Sequence, residues 1–473
     1  MRALETANRQ MIRLFRVFVP TSVIALILSD VILIYACFLA ATYVMIDSAP
    51  EVFLLYDGGL MRMSLVVASV LLGLYFQDLY DDFRIRNKTL LLQQFCLVVG
   101  LVFFSQALLT YVNRDLMMPR WIMIVGCGLI LIIAPGWRLL YAKIVMRALG
   151  SQRILFLGTN SVALEIAGKL RERPELGLAG VGFIDNNYPK DSELQGGKVL
   201  GAIEALREIV AETQPDRIVV GLSERRNTLP VHDLLDLRFL GIHIEEAAAL
   251  YEAAFGRVCT RELRPSQLIF TADLGPQPRS LLIQRIYSRV IGLIGMIVAL
   301  PIMLLVAIAV KLTSPGPVLY RQSRVGMNGV PFTLYKFRSM RTDAEATTGA
   351  VWATRDDPRV TSIGRILRRS RLDEFPQLFN VVRGEMAVVG PRPERPEFVR
   401  TLAEQIPFYR QRHSVRPGLT GWAQINYKYG DTLEDTIIKL EYDLYYIKNL
   451  SPSLDAYIMF HTLKVMLFAQ SGQ

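Results

Sequence analysis

The sequence Arg365-Ile-Leu-Arg-Arg-Ser-Arg-Leu-Asp373-Glu374-Phe-Pro376-Gln-Leu-Phe-Asn380 places two adjacent carboxylates directly after a run of arginines. Pro376 is favoured in the first turn of a helix, and the apolar residues around it at helical spacing predict a short helix that begins here. The N-terminus of a helix with basic neighbours can hold phosphate. Asp373 and Glu374 can supply a nucleophile and a metal ligand at the same place.

The composition is typical of a membrane protein with a large charged part. Of the 473 residues, 52% are hydrophobic, and the formal net charge is +10. The chain is too apolar for a purely soluble enzyme and too charged in its second half for a simple channel. With this hydropathy, the positive charge favours an anionic membrane surface and phosphorylated substrates, and no nucleic-acid partner is expected. The four cysteines are not spaced as a metal site or a disulfide pair.

Four apolar spans of roughly membrane-crossing length, about 20 residues, predict a four-helix transmembrane bundle over residues 1–150. Asp30 and Arg138 lie inside the first and the fourth span, where a structural pairing is a better interpretation than a functional site. Basic segments before the first span, after the second and after the fourth predict that the N-terminus and everything after residue 145 are cytoplasmic. The spans lie near residues 20–46, 61–80, 89–112 and 121–141.

A strand, a glycine turn and a helix follow in Arg153-Ile-Leu-Phe-Leu-Gly158-Thr-Asn160, and two further strand-like runs come later. This βαβ pattern predicts an α/β Rossmann-like domain over residues 151–265. The dinucleotide fingerprint needs a second glycine where Asn160 stands, so a regulatory or structural role is favoured over a bound dinucleotide, which stays an alternative. Residues 266–284 contain proline and glycine and are predicted to be a linker.

The apolar run Val290–Val310 can be interpreted in two ways. Its length would let it cross a bilayer as a plain helix of about 30 Å, but both flanks are basic and therefore favour the cytoplasmic side. A crossing would also place Asp373 and Glu374 outside, away from nucleotide substrates. Because Pro301 removes a helix hydrogen bond in the middle of the run, we predict a re-entrant membrane helix over residues 285–312 with a break at Pro301.

The alternation in Phe332-Thr-Leu-Tyr-Lys336-Phe-Arg338-Ser-Met340 predicts a strand with Lys336 and Arg338 on one face. By itself this pattern describes an edge strand with solvated charges. Further motifs stand in order after it, at Asp357-Pro-Arg359, Arg371-Leu-Asp373-Glu374-Phe-Pro376, Gly384-Glu-Met386, Gly390-Pro-Arg392-Pro393 and Arg416-Pro-Gly-Leu-Thr420-Gly-Trp422-Ala-Gln424. Over about residues 280–473 the chain resembles the bacterial sugar transferases, that is, the monotopic phosphoglycosyl transferases.

The N-terminal part resembles the large subclass of this family in layout more than in motif. That subclass is the exopolysaccharide undecaprenyl-phosphate hexose-1-phosphate transferases, which have a four-helix front end and a Rossmann-like middle. The expected fold class is therefore a membrane α-helical bundle, an α/β Rossmann-like domain, and an α+β catalytic domain over residues 313–473 with a re-entrant membrane helix before it.

The resemblance implies an enzyme that transfers hexose-1-phosphate from a UDP-sugar to undecaprenyl phosphate, releases UMP, and initiates exopolysaccharide or O-antigen assembly. UDP-glucose or UDP-galactose is the expected donor, from the subclass alone. The expected location is the bacterial inner membrane, where the catalytic domain faces the cytoplasm and contacts membrane lipid. The four membrane helices offer a surface on which a homodimer could form.

The resemblance also implies roles for individual residues. Asp373 would be the nucleophile that forms an aspartyl-phosphosugar, and Glu374 would hold the cofactor Mg²⁺. Arg392, fixed between two prolines, would clamp phosphate. Lys336 and Arg368 would neutralise the charge that develops during transfer.

Three further residues complete the expected site, and two positions depart from the family pattern. Arg338 and Lys428 are expected to contact substrate or phosphate, and Asp455 matches a second acidic position with a metal or orienting role. Lys428 stands where many members carry arginine, so the bidentate fork is lost there. Arg371 stands where the family often has serine, which adds a cation beside the two carboxylates.

Two rival classes stay open on the sequence. A catalytically silent membrane scaffold that regulates polysaccharide export would use the Rossmann-like domain as a sensor, but it would not need Asp373, Glu374 and Arg392. A membrane-bound nucleotide-sugar dehydratase or epimerase would need a glycine fingerprint and a Tyr-x-x-x-Lys pair after the βαβ unit. The Rossmann-like segment carries neither feature.

Overall fold

The computed structural model describes residues 11–14, 17–47, 49–77, 79–80, 88–148, 152–172, 177–222, 229–262, 275–342, 344, 359–427 and 432–468. The chain forms two compact units, and the main division falls between Leu250 and Tyr251. The first unit holds four long apolar helices and a parallel sheet. The second unit holds the carboxylate pair.

Four long apolar helices pack around one hydrophobic core in the first unit, in which Phe38 and Phe95 are fully buried. Each is long and apolar enough to cross a membrane, which agrees with the four predicted spans. Two short paired strands precede them, Met11–Leu14 (β1) and Val17–Pro20 (β2). The helices are α1 (Thr21–Met45), a short α2 (Pro50–Leu55), α3 (Gly59–Phe76), α4 (Lys88–Val112) and α5 (Arg120–Ala148).

Asp30 and Arg138 pair with each other inside this bundle, as the structural interpretation predicts. Arg138 Nη2 lies 2.7 Å from Asp30 Oδ2, and the two side chains are 6% and 3% exposed. The Tyr80 hydroxyl donates to the same carboxylate oxygen at 2.9 Å, and the Arg138 guanidinium lies over the Tyr80 ring. The charges of one carboxylate and one guanidinium therefore cancel within an apolar environment.

A six-stranded sheet forms the other part of the first unit, in the order β5-β6-β4-β3-β7-β8. The strands are Gln152–Leu157 (β3), Leu178–Ile184 (β4), Glu193–Leu194 (β5), Gly197–Gly201 (β6), Arg217–Val220 (β7) and His243–Glu246 (β8). All pairs are parallel except β5 with β6. The strands of a parallel sheet are apolar along most of their length, because helices cover both faces of such a sheet. The helices are Ser161–Glu172 (α6), Leu206–Thr213 (α7), Val231–Phe239 (α8) and Ala247–Phe255 (α9). The prediction of an α/β domain with a parallel sheet is confirmed.

The division between the two units falls inside α9, so residues 251–262 belong to the second unit, although the Rossmann-like domain is predicted to extend to residue 265. Within that unit, the buried Glu441 accepts a hydrogen bond from the Tyr251 hydroxyl at 3.0 Å. The Trp422 indole donates to the Gly256 carbonyl at 2.7 Å. The predicted boundary at residue 265 therefore differs from this division, since these partners are distant in sequence and no local signal connects them.

The second unit is an α+β domain built on one long helix, α10 (Pro278–Thr313), of 36 residues. Leu319–Val325 (β9) and Pro331–Phe337 (β10) form an antiparallel hairpin, and Ala387–Val389 (β11) pairs in parallel with Gly418–Thr420 (β12). The predicted strand through Lys336 and the short helix after Pro376 are both present. The other helices are α11 (Ser362–Arg369), α12 (Gln377–Arg383), α13 (Pro396–Gln405), α14 (Trp422–Asn426), α15 (Leu433–Asn449) and α16 (Pro452–Phe468).

Helix α10 differs from the prediction in two respects. It begins at Pro278, inside the predicted linker 266–284, of which residues 266–274 lie outside the described part of the chain. It also continues as a helix through Pro301 instead of breaking there. A proline removes one hydrogen bond and crowds one carbonyl, so a long helix whose other turns stay intact can bend and continue.

One side of α10 contacts the catalytic domain near both of its ends. Gln284 Nε2 donates to the Val389 carbonyl at 3.2 Å, and Val310 is buried in a cluster with Phe337 and Leu367. The opposite side of α10 carries large apolar side chains that the protein does not cover. This side of the helix therefore suits an apolar environment better than water. These exposed residues include Ile294, Ile297, Val298, Leu300, Leu304, Leu305 and Ile308.

Candidate active site

Asp373 and Glu374 lie on a 3₁₀ turn that apolar residues anchor on both sides. Arg371 leads into the turn with a φ of 59°, a left-handed conformation that is uncommon for residues other than glycine. Leu372 and Phe375, which flank the carboxylates, pack against the cluster that contains Val306 and Val310 of α10. The turn therefore holds both carboxylates beside the long apolar helix.

Glu374 contacts two cations from two other elements. Lys336, near the end of β10, places Nζ 2.8 Å from Glu374 Oε1, and Arg392, in the loop after β11, places Nη2 3.1 Å from the same oxygen. The side chains of Lys336, Arg392 and Glu374 stay partly accessible, with 20%, 35% and 19% exposed. Although burial opposes its ionisation, Arg392 and Lys336 hold the pKa of Glu374 well below its ordinary value.

Asp373 is more deeply buried, with 7% of its surface exposed. Burial raises the pKa of its carboxyl above the ordinary value, while the charges of Lys336 and Arg368 act in the opposite direction. Arg368 is oriented by a hydrogen bond from its Nε to Ser339 Oγ at 3.0 Å. Burial also lowers the pKa of Lys336. Neighbouring carboxylates with opposite pKa shifts are typical of functional sites.

The site carries more positive than negative charge. The two carboxylates face Lys336, Arg368, Arg371 and Arg392, whose charges act on one or both of them. Guanidinium groups bind phosphate oxygens through paired hydrogen bonds. The excess of cations over carboxylates therefore suits a substrate that brings the negative charge of a diphosphate.

Asp455, which is itself fully buried, lies in a separate network that borders the Arg392 loop. Its carboxylate accepts hydrogen bonds from Gln284 Nε2 at 3.0 Å, from the Tyr446 hydroxyl at 2.7 Å and from the Tyr287 hydroxyl. Gln284 and Tyr446 also donate to the carbonyl of Val389, the last residue of β11. These donors are neutral, and burial raises the pKa of Asp455 to about 6. This placement favours an orienting role over a metal ligand.

Two arginines that the sequence analysis did not single out fix the backbone of the Arg392 loop. Arg412 donates to the Arg392 carbonyl at 3.1 Å, and Arg324 donates to the Pro393 carbonyl at 3.0 Å. Arg412 is itself held by a buried ion pair with Asp443 at 2.8 Å. In sequence, Arg412 resembles any other basic residue near the Arg416 motif, so nothing distinguishes it there.

Arg338 does not join the carboxylates, although the alternation predicts the same strand face as for Lys336. The strand β10 ends before it, and its Nη1 and Nη2 donate to the carbonyls of Pro315 and Ser314 at 2.6 and 2.8 Å. The side chain is buried and closes the segment after α10, so its predicted contact with substrate is not supported. Lys428 lies outside the described residues.

The carboxylates fit Mg²⁺ only in company with a phosphate. Among the residues that the structure describes, no group of three or more His, Cys, Asp or Glu side chains could hold a metal ion. Magnesium commonly takes one or two carboxylates and completes its coordination with water and substrate phosphates. Both cation contacts reach Oε1 of Glu374, and Asp373 supplies the adjacent carboxylate.

The loop after β3, where a dinucleotide would bind a Rossmann-like sheet, uses its polar groups internally. The Thr159 backbone N–H donates to Asp185 Oδ2 at 2.8 Å, and the Thr159 hydroxyl donates to the same oxygen. Asn160 Oδ1 accepts from the Ala163 N–H in the first turn of α6 at 2.8 Å. Groups that would face a pyrophosphate are therefore already paired, which favours the regulatory or structural role.

Comparison with known proteins gives the family. The model described as bacterial sugar transferase matches residues 279–469, and a model described as CoA-binding domain matches residues 75–237. An exopolysaccharide production protein from Rhizobium leguminosarum bv. phaseoli is 42% identical over 188 residues, which cover 39% of this chain and 94% of that protein. The chain belongs to the bacterial sugar transferase family.

Two further relatives match longer stretches of this chain. A UDP-N-acetylgalactosamine-undecaprenyl-phosphate N-acetylgalactosaminephosphotransferase from Aeromonas hydrophila is 43% identical over 225 residues, 48% of this chain and 52% of that protein. A UDP-glucose:undecaprenyl-phosphate glucose-1-phosphate transferase from Klebsiella pneumoniae is 34% identical over 319 residues, 66% and 67% of the two chains. The matched region thus spans about half of the first relative and two thirds of the second.

Proposed function

We propose that this chain is a phosphoglycosyl transferase, which moves a sugar-1-phosphate from a UDP-sugar to undecaprenyl phosphate and releases UMP. The observation that carries the proposal is the pair Asp373–Glu374, set among Lys336, Arg368 and Arg392 beside an apolar helix. The family and the names of the Aeromonas and Klebsiella relatives support it. The product would start exopolysaccharide or O-antigen assembly, and the name of the Rhizobium relative favours exopolysaccharide.

Asp373 is the proposed nucleophile. One of its carboxylate oxygens attacks the sugar-bearing phosphorus of the UDP-sugar, the bond to the bridging oxygen breaks, and UMP leaves with that oxygen. An oxygen of undecaprenyl phosphate then attacks the same phosphorus, and the Asp373 carboxylate is regenerated as the lipid diphosphate sugar departs. Because the sugar phosphate is captured covalently, a soluble nucleotide and a long lipid need not be bound together.

The surrounding cations would make this chemistry accessible to an anionic nucleophile. In both steps an anion approaches a charged phosphate, so positive groups around the phosphate oxygens lower the barrier. Arg392 would bind the diphosphate from its rigid loop, while Lys336 and Arg368 stay close to the Asp373 carboxylate. Mg²⁺ held by Glu374 and phosphate oxygens would offset further negative charge on the diphosphate.

We also propose that α10 enters the membrane from the cytoplasmic side and does not cross it. Gln284 and Val310 both contact the catalytic domain, and they lie about 40 Å apart along the helix. A spanning helix would place them on opposite sides of a hydrocarbon core about 30 Å thick. The uncovered apolar face of α10 would instead lie in the inner leaflet, beside the turn that carries Asp373.

The topology can be tested apart from the chemistry. The four bundle helices would anchor the chain in the bacterial inner membrane, with the N-terminus and the catalytic domain in the cytoplasm. A tag fused after Gln473 should then react with a membrane-impermeant reagent only when cells are opened. Labelling of the tag on intact cells would show that α10 spans the membrane.

The reaction is tested by UMP release from UDP-glucose, UDP-galactose and their N-acetylated counterparts, on the full chain with Mg²⁺, with and without undecaprenyl phosphate. Sustained release that depends on the lipid, with one preferred sugar, is the expected result. UDP-glucose or UDP-galactose is the proposed donor, although the Aeromonas relative is named for N-acetylgalactosamine. Absence of release with every sugar, from folded protein, would favour a silent membrane scaffold instead.

A further inference from the structure

Two arginines from separate segments donate to the end of α12, and the charge of a third, Arg285, acts on one of them. Arg285 and Arg289 lie one turn apart on α10, and Arg416 precedes β12. Arg289 Nη2 donates to the Arg383 carbonyl at 3.2 Å, and Arg416 Nε donates to the Gly384 carbonyl at 3.0 Å. Gly384 has a φ of 85°, a left-handed conformation that favours glycine, and a Cβ there would lie 2.6 Å from the end of the Arg289 side chain.

The arginine cluster, by which we mean Arg285, Arg289 and Arg416, has no carboxylate to balance it. Within the described part of the chain, none of the three lies within 4.0 Å of an Asp or Glu side-chain oxygen. Burial lowers the pKa of Arg416, and the charges of Arg285 and Arg289 lower it further. Arg289 Nε is buried without a hydrogen-bond partner. Like charges held this close repel one another unless an anion lies between them.

The position of the cluster along α10 points to the membrane surface. Arg285 and Arg289 stand immediately before the apolar run whose large side chains are uncovered. Basic residues that flank an apolar membrane segment lie at the level of the lipid headgroups, and anionic headgroups attract them. An interfacial helix with this arrangement brings its arginines to a layer rich in phosphate.

Capping of α12 accounts for only part of the arrangement. Cations near the C-terminus of a helix are favourable, and one guanidinium would satisfy its last carbonyls. In the contacts above, Arg289 and Arg416 each use one donor on a carbonyl, whereas a guanidinium carries five N–H groups. Arg285 is exposed and adds a third charge. Planar guanidinium groups match the geometry of phosphate oxygens and can bind them through two hydrogen bonds.

We propose that Arg285, Arg289 and Arg416 form a binding site for the phosphate of an anionic phospholipid headgroup, where α10 enters the membrane. This site uses none of the residues assigned to sugar-phosphate transfer. It would fix the depth and orientation of the catalytic domain at the membrane. The proposal rests on the proposed entry of α10 into the membrane, but it holds whichever sugar the enzyme takes and does not depend on Asp373.

The test uses the full chain purified in detergent, with retained lipids counted by native mass spectrometry. Phosphatidylglycerol and phosphatidylcholine are added in equal amounts, and the wild type should retain phosphatidylglycerol preferentially. R289Q/R416Q should weaken that retention at least tenfold. R285Q removes an exposed charge and leaves the contacts with the carbonyls of α12 intact. It should weaken the retention of phosphatidylglycerol several-fold. If the double variant does not fold, R285Q alone tests the proposal.

The matched control is K190Q/K198Q, which removes two exposed lysines of the sheet unit and should retain phosphatidylglycerol as the wild type does. Competition then separates the sources of phosphate. Displacement by a lipid phosphate, undecaprenyl phosphate included, but not by inorganic phosphate supports the proposal. Displacement by inorganic phosphate as readily as by lipid overturns the lipid assignment. Equal retention by wild type, R285Q and R289Q/R416Q also overturns it and leaves the arginines as helix caps.

Discussion

The molecule holds two clusters of opposite charges that differ in balance and in access. In the helical bundle, Asp30 faces Arg138 at 2.7 Å, and both side chains are almost fully buried. In the catalytic domain, Glu374 faces Lys336 and Arg392 at 2.8 and 3.1 Å and remains 19% exposed. The first cluster is neutral and closed, so it can only hold helices together. The second has spare positive charge and is open, so it can receive an anion.

A second comparison, between Glu374 and Asp455, shows how two buried carboxylates with different partners come to have opposite pKa shifts. Glu374 has cations beside it, and its pKa lies well below the ordinary value despite burial. Asp455 has only neutral donors among its hydrogen-bond partners, and burial raises its pKa to about 6. Four substitutions sharpen or break this distinction.

The largest expected effect is that of D373N on turnover. Asparagine has nearly the same volume but is no nucleophile toward phosphorus, so UMP release should fall by about 10³-fold or more. Thermal unfolding in detergent should stay close to that of the wild type, because the turn keeps its anchors Leu372 and Phe375. Residual turnover above a tenth of the wild-type rate would remove Asp373 from the nucleophile role.

Breaking the closed cluster should cost stability instead. R138Q leaves Asp30 buried without its counter-charge, which should lower the free energy of unfolding by about 3–5 kcal/mol. D30L/R138L removes both charges and should recover much of that loss, since an apolar pair suits the bundle interior. E374L/K336L is the matched change in the catalytic domain. It also removes both charges, but the variant should be inactive, because these charges are assigned to the reaction and not to stability. If R138Q unfolds like the wild type, the Asp30–Arg138 pair does not stabilise the helical bundle.

D455N tests the buried carboxylate that has neutral partners. The folded-state pKa of Asp455, about 6, lies above its ordinary 3.8, so the folded chain binds this proton more tightly than the unfolded chain. The resulting stability is fully present below about pH 4 and is lost as the pH rises through about 6. From about pH 4 to pH 7, the wild type should lose about 3 kcal/mol relative to D455N. Unfolding curves of both proteins across this pH range measure the loss. A stability difference between wild type and D455N that does not change with pH, or that changes with the opposite sign, would contradict the raised pKa of Asp455.

K336R should give the smallest change, a shift in the pH profile of UMP release. Because burial lowers the pKa of Lys336, wild-type kcat/KM should decline on the alkaline side below the usual range of lysine. Arginine stays charged there, so the variant should lose this decline while its neutral-pH rate stays within about tenfold. The acid limb, where Asp373 with its raised pKa takes up a proton, should not move. An unchanged alkaline limb in K336R would assign that ionisation to another group.

Local signals in the sequence suffice for the apolar helices, the α/β domain and the strand that carries Lys336. The apolar spans, the βαβ pattern and the strand through Lys336 each depend on residues close in sequence, and the structure has all of them. The proximity of Lys336 and Arg392 to Glu374 was expected from a family resemblance and not from spacing. The geometry now shows that contact directly.

What the sequence could not provide depends on distant partners. Gln284 supports the Arg392 loop through Val389, 105 residues away, and Tyr446, 162 residues away. Arg338 does not lie beside the carboxylates, because the strand ends one residue before it and its side chain contacts the segment after α10. The break predicted at Pro301 rests on a local rule, whereas packing along the catalytic domain keeps α10 continuous.

The most direct test of the central claim is UMP release without undecaprenyl phosphate. With excess UDP-sugar, covalent capture at Asp373 predicts a burst of one UMP per active chain that then stops, and a mass increase of one sugar phosphate on that residue. Adding undecaprenyl phosphate should remove the modification and restart turnover. UMP that forms only when both substrates are present, with no modified chain, would contradict Asp373 as a covalent nucleophile.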